Sequence, residues 1–192
     1  MDTAPHHHPH RIGITGSAGV GKTTLAEALG GRLDLPVMAE AMRPLLEAGF
    51  DLHTLTREGH RALIRAQADA LVRAMAQADG GFVTDRTPLD FAAHWLSNGF
   101  GVDDPAATEA LLARAVAAMA DYSAVLLLPW GCIPLEDDGV RFPNPWMQLH
   151  FQELVAGLCR RWVDPARLVI VPDRAMAPEA RLDWVLRRLG PG

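Results

Sequence analysis

A glycine-rich stretch, Gly16-Ser17-Ala18-Gly19-Val20-Gly21-Lys22-Thr23, lies between the apolar run RIGIT (11–15) and the helix-forming run TLAEAL. It satisfies the spacing G-x-x-x-x-G-K-[ST] in full. Glycines let the backbone turn so that several N–H groups converge on one point, an anion nest at the N-terminus of a helix. Lys22 is placed to reach the β- and γ-phosphates of a nucleotide, and the Thr23 hydroxyl to ligate Mg²⁺. Residues Gly16 to Thr24 are therefore the expected contacts to a nucleoside triphosphate. A chance glycine turn would lack the strand before it and the helix after it.

Such a loop needs a strand–helix framework, and the rest of the chain supplies one. LPVMAE (35–40), GFVTD (81–85), SAVLLLP (123–129) and RLVIVP (167–172) read as further strands, with Pro88 ending the third. Between 56 and 79, Ile64, Ala68, Leu71 and Met75 fall on one helical face and Arg57, Arg61 and Arg65 on another. Helices are also expected from Asp104-Pro105, with Leu112, Ala115, Val116 and Met119 inward. Asn144-Pro145 opens another, with Met147, Phe151, Leu154, Leu158 and Trp162 inward, and Pro178 a last one carrying Leu182, Val185, Leu186 and Leu189. Strand and helix alternate about five times, which predicts an α/β domain around a parallel sheet. A single domain over 11–192 is expected, preceded by a disordered His-rich tail (1–10), with 130–145 as a candidate lid loop.

Composition narrows the function classes. A net charge of −5 speaks against a polybasic nucleic-acid or membrane surface. Cys132 and Cys159 are too far apart for a zinc or redox pair, which favours a reducing, cytoplasmic setting. No apolar run approaches a membrane span, and the N-terminal stretch lacks the apolar segment of a secretory signal. Of 18 cationic residues only Lys22 is lysine; amid that bias, a retained lysine points to a need for a compact ammonium. With no second lysine the chain has no N-K-x-D guanine motif, which disfavours a guanine-specific switch. His6, His7, His8 and His10 read as tail, with metal binding the alternative.

In open parallel sheets, ligands sit beyond the carboxyl ends of the strands. Glu40 follows the second strand, as a general base for an acceptor hydroxyl or as an ordinary acid in a first helical turn. Asp85 ends the third strand, as a carboxylate for Mg²⁺ or the acceptor, or as a helix cap. Arg86 beside it is a partner for phosphate or for Asp85, or a surface ion pair. Arg141, in LEDDGVRFPNP, is either a lid cation for the transferring phosphate or a solvated loop residue; Asp137 and Asp138 read as surface charges. Trp130, Trp146 and Phe100 are either stacking platforms or core.

The segments GITGSAGVGKTTLAEAL, LPVMAEAMRPLLEAG, FVTDRTPLDFAAHWL and LEDDGVRF together resemble the NadR-like AAA family of P-loop ATPase and kinase domains, which includes the ribosylnicotinamide kinase domain and is related in layout to the deoxynucleoside kinases. The likeness spans roughly residues 11 to 172. It implies the three-layer P-loop NTPase fold with about five parallel strands, ATP and Mg²⁺ as cofactors, and phosphoryl transfer to a small nucleoside-like acceptor, possible acceptors including ribosylnicotinamide. By the same resemblance Glu40 stands at the acceptor site, Asp85-Arg86-Thr87 on the acceptor and metal side, and Arg141 in the lid. Kinase lids of this group carry several arginines, whereas 129–145 offers only Arg141, with Arg160 and Arg161 as possible helpers. The alternative is an ATPase switch without a small-molecule acceptor. The sequence leaves the oligomeric state open.

Overall fold

The computed structural model describes residues 10–40, 42, 45, 48–51, 54–133, 144–174 and 176–190. Five parallel strands form one sheet: β1 (Arg11–Thr15), β2 (Val37–Met38), β3 (Phe82–Asp85), β4 (Ala124–Leu127) and β5 (Leu168–Ile170), in the order β2-β3-β1-β4-β5. Strand side chains alternate between faces, and both faces are covered. Ile12, Ile14, Val83, Leu126 and Leu128 pack with Leu25 and Leu29 of α1 (Lys22–Leu33) and Val185 of the last helix. Phe82, Val125 and Leu127 pack with residues of the opposite helical layer. This is the expected three-layer α/β arrangement, and it explains why these strands read as continuous apolar runs.

Between β2 and β3 runs α2 (Arg57–Gln77). The chain then passes through α3 (Pro88–Ser97), a one-turn α4 (Phe100–Asp103) and α5 (Pro105–Ala118) to reach β4. After β4 come α6 (Pro145–Trp162), β5 and α7 (Pro178–Leu189). Asp104 caps α5 by accepting from the Ala107 amide, and Asn144 caps α6 through the Trp146 and Met147 amides. Among the described residues no helix is long and apolar enough to cross a membrane.

Two local expectations need correction. The second strand is only two residues long, Val37–Met38, and lies at the sheet edge, paired with β3. Met147 and Trp162 are 62% and 38% exposed, not inward: they sit at opposite ends of an 18-residue helix whose buried part centres on Phe151, Val155, Leu158 and Cys159. Arg57, Arg61 and Arg65 fall on the other face of α2, as expected, and that face is partnered. Arg57 and Arg61 pair with Asp103, and the Arg61 and Arg65 guanidinia lie 5.0 and 4.8 Å from the rings of Phe100 and Trp95. Phe100 is core, in a cluster with Trp95 and Leu111.

Gly13, in the middle of β1, admits no side chain. A Cβ there would lie 2.8 Å from Thr87 Cγ2 and 2.9 Å from Tyr122 Cε1. Tyr122 is itself fixed by its hydroxyl, 2.8 Å from Thr84 Oγ1. Gly13→Ala should therefore overpack the sheet and cost about 1–3 kcal/mol, a Tm loss of roughly 2–12 °C for a domain of this size. An unchanged melting temperature would mean that the Thr87–Tyr122 wall yields freely.

Candidate active site

The loop between β1 and α1 bends where three glycines take positive φ: Gly16 (139°), Gly19 (77°) and Gly21 (85°). At Gly16 a Cβ would also meet Leu128 O and Val20 Cγ2 at 3.1 Å, so no other residue fits this turn unstrained. Gly21 is the N-cap of α1 and offers no side-chain acceptor to the helix. The first amides of α1 thus lack a side-chain cap, the condition under which a helix N-terminus takes an anion.

Lys22 is buried, and its Nζ donates to Gly16 O (3.0 Å) and Ser17 O (2.7 Å) across the loop. Burial, followed by the nearby Arg86 charge, lowers its pKa to about 8. The loop is tied down from a distance by Gln152 of α6. Its Oε1 accepts from the Ser17 amide (2.8 Å) and its Nε2 donates to Leu128 O (2.9 Å).

Thr23 Oγ1 donates to Asp85 Oδ2 at 2.5 Å, so the first turn of α1 and the end of β3 meet. The other carboxylate oxygen, Asp85 Oδ1, is buried without a hydrogen-bond partner. A hydroxyl and an under-satisfied carboxylate side by side are hard oxygen donors that fit Mg²⁺. Asp85 does not cap the following helix. Thr87 does, in a reciprocal box in which the Thr87 amide donates to Asp90 Oδ2 (2.8 Å).

Arg86 adopts φ 105°, rare for a residue with a Cβ, while its amide donates to Ile14 O at 3.0 Å. The guanidinium does not pair with Asp85. Its Nη2 meets Glu40 Oε1 at 2.6 Å and its Nη1 stands 3.6 Å from Asp90 Oδ1. Burial disfavours the Arg86 charge, but the Glu40 and Asp90 carboxylates outweigh it and hold the pKa above the ordinary value. Burial pushes the Asp90 carboxyl up, against the pull of Arg86 and Lys22.

Glu40 and Arg86 line a cavity of about 380 Å³ together with Gln67, Phe91, His94 and Met147. It is mostly apolar, yet Gln67 Nε2 is buried there without a partner. Burial, then the neighbouring Arg86 charge, lowers the His94 pKa to about 3, so its imidazole is neutral near pH 7. A second cavity, about 490 Å³, lies on the other side of the loop and is lined by Gly21, Thr24, Leu25, Met176, Arg181 and Leu182.

The structure thus gathers the Gly16–Thr24 loop, Glu40, Asp85 and Arg86 around the ends of β1, β2 and β3. Arg141, His6, His7, His8, Asp137 and Asp138 lie outside the described residues. Arg160 and Arg161 are exposed near the C-terminal end of α6, in its last turn, and Trp146 is 72% exposed. The sequence reading missed Gln152 and Arg181. Arg181 was findable, since it stands four residues before Val185 on the buried side of α7.

The sequence matches the AAA domain family over residues 11–177. The chain belongs to that family. Its fold is shared by NadR-like and deoxynucleoside-kinase-like P-loop proteins. One similar structure is NadR solved with NR, 21% identical, with a TM-score of 0.65, covering 93% of this chain and 51% of NadR. The chain therefore spans about half of NadR. Another is deoxyadenosine kinase from M. mycoides, 13% identical, TM-score 0.62, covering 93% of this chain and 98% of that one. Thymidylate kinase from Ehrlichia chaffeensis is 11% identical, TM-score 0.63, covering 95% and 100%. No curated protein sequence matches the chain.

Proposed function

We propose that the protein is an ATP-dependent phosphotransferase whose acceptor is a hydroxyl of a small nucleoside-like molecule. One observation carries this reading. Glu40, held by Arg86 at 2.6 Å, lines an open, mostly apolar cavity that shares no lining residue with the cavity beside α1. A switch needs one nucleotide pocket; a transferase needs a second compartment with a carboxylate in it.

In this scheme the loop from Gly16 to Thr24 holds the triphosphate of ATP, with Lys22 leaving its own carbonyl partners for the β- and γ-phosphates. Thr23 and Asp85 would hold Mg²⁺, which supplies charge neutralisation on the phosphate oxygens. Glu40 takes the proton of the acceptor hydroxyl as its oxygen bonds to the γ-phosphorus. The bond from that phosphorus to the bridging oxygen breaks, and ADP leaves with the electron pair. Arg86 keeps Glu40 aimed, and Arg141 is our candidate for a further cation on the transferring group. Gln67, whose buried amide nitrogen lacks a partner, is suited to read a polar edge of the acceptor. The free thiols of Cys132 and Cys159 suit a cytoplasmic setting.

The test is a labelled-ATP screen against nucleosides, ribosylnicotinamide and nucleoside monophosphates. ADP release should depend on one acceptor class and yield its phosphorylated product. ADP release that no added compound stimulates would replace this reading with the ATPase switch.

A further inference from the structure

Three cations are buried among the described residues: Lys22, Arg86 and Arg181. Lys22 serves the phosphate loop, and Arg86 is neutralised by Glu40. Arg181 has no carboxylate partner among the described residues. It is only 4% exposed, its Nη1 donates to Val20 O at 2.7 Å, and its buried Nε has no hydrogen-bond partner. Desolvation pulls its pKa below the ordinary value, although arginine stays charged. An uncompensated buried guanidinium is costly to a fold. Such a charge persists where a ligand brings the missing anion.

Its position says which anion. A Cβ on Gly21 would stand 3.0 Å from Arg181 Nη1, so the guanidinium lies against the outer flank of the loop, at the start of α1. It also lines the 490 Å³ cavity, whose other walls include Leu25, Ala28, Met176 and Leu182. Arg181 therefore sits between the turn that encloses the terminal phosphates and an apolar slot wide enough for a base. The phosphate joining those two compartments is the one attached to the nucleoside.

We propose that Arg181 is a nucleotide-binding residue supplied by the C-terminal helix, its guanidinium neutralised by the α-phosphate while the cavity beside it takes the base. This rests on the phosphate loop holding a nucleotide, and the experiment separates the two claims. Calorimetric titrations with ADP and with adenosine are made on the wild type, Lys22→Ala, Arg181→Met and Arg181→Lys. Arg181→Met should weaken ADP about 10- to 100-fold, the scale of a lost charge-assisted hydrogen bond. It should leave adenosine within about twofold and the ligand-free Tm unchanged or raised, since a buried charge without a counter-ion has been removed. Arg181→Lys should retain most of the ADP affinity.

ADP affinity within threefold of wild type in Arg181→Met, with Lys22→Ala still impaired, overturns the role of Arg181 alone. Equal weakening of ADP and adenosine overturns it too, because the residue then only shapes the cavity. A wild-type protein that binds no ADP overturns the loop reading and this proposal together. Should Arg181→Met fail to fold, the ³¹P spectrum of bound ADP replaces it. The α-phosphorus resonance should move between wild type and Arg181→Lys while the β-phosphorus holds, and a stationary α resonance refutes the contact.

Discussion

Lys22→Ala should leave the protein folded and reduce phosphoryl transfer on the order of 10²-fold or more, the loss typical of removing one fixed electrostatic stabiliser from a reacting centre. Among the described residues the ammonium bonds only to carbonyls of its own loop, Gly16 O and Ser17 O, so the sheet and α1 do not depend on it. The variant should melt near the wild-type temperature and lose activity in steady-state kinetics. A pH dependence accompanies this. Because the Lys22 pKa is lowered to about 8, the ammonium is lost as pH rises through that value, and with it the attraction for phosphate. Nucleotide affinity should decline above pH 8 in the wild type and change less steeply in Lys22→Ala. Near-normal turnover in the variant would remove the phosphate loop from the mechanism.

Glu40→Gln should have an effect as large on transfer and little on ATP binding. General-base assistance is worth about 10²- to 10⁴-fold. The amide keeps the shape of the carboxylate but cannot take the acceptor proton, nor give Arg86 its counter-charge. Arg86 retains Asp90, 3.6 Å away, so some loss of stability is expected and a melting curve should accompany the kinetics. Acceptor phosphorylation should collapse while calorimetric ATP affinity stays within a few-fold. If the variant phosphorylates acceptors like the parent, Glu40 is only the ion-pair partner of Arg86, and the base lies elsewhere.

Much of this was legible in the sequence because it is encoded locally. The phosphate loop is eight consecutive residues, and buried parallel strands are continuous apolar runs such as AVLL in β4. Helix starts were marked by Asp104-Pro105, Asn144-Pro145 and Pro178. Helix α3 was less visible: Phe91, Ala92, Ala93 and Trp95 are all buried, so its polar face is too thin to give an amphipathic pattern. Its local signals were the reciprocal Thr87–Asp90 cap and Pro88 at its first position, which the sequence reading took as the end of the third strand. The remaining misses are contacts over distance. Spacing can mark Arg181 as buried, but no local rule pairs Gln152 with Ser17, 135 residues away, or Arg181 with Val20, 161 residues away. The Arg86–Glu40 pair joins the ends of two adjacent strands, β2 and β3, and only the sheet order brings those ends together.

That sheet order has a bearing on protein engineering. The cavity lined by Glu40, Gln67 and His94 is walled by α2 and α3, whereas the one lined by Leu25 and Arg181 is walled by α1 and α7. Substitutions in separate walls that share no partner should combine additively. Acceptor preference could then be redesigned on α2 and α3 without retuning the grip on ATP. Thr23 with Asp85, together with the electrostatic reach of Arg86 to Lys22, spans both halves. Epistasis should concentrate in those four residues, which makes them the positions a directed-evolution library would leave untouched.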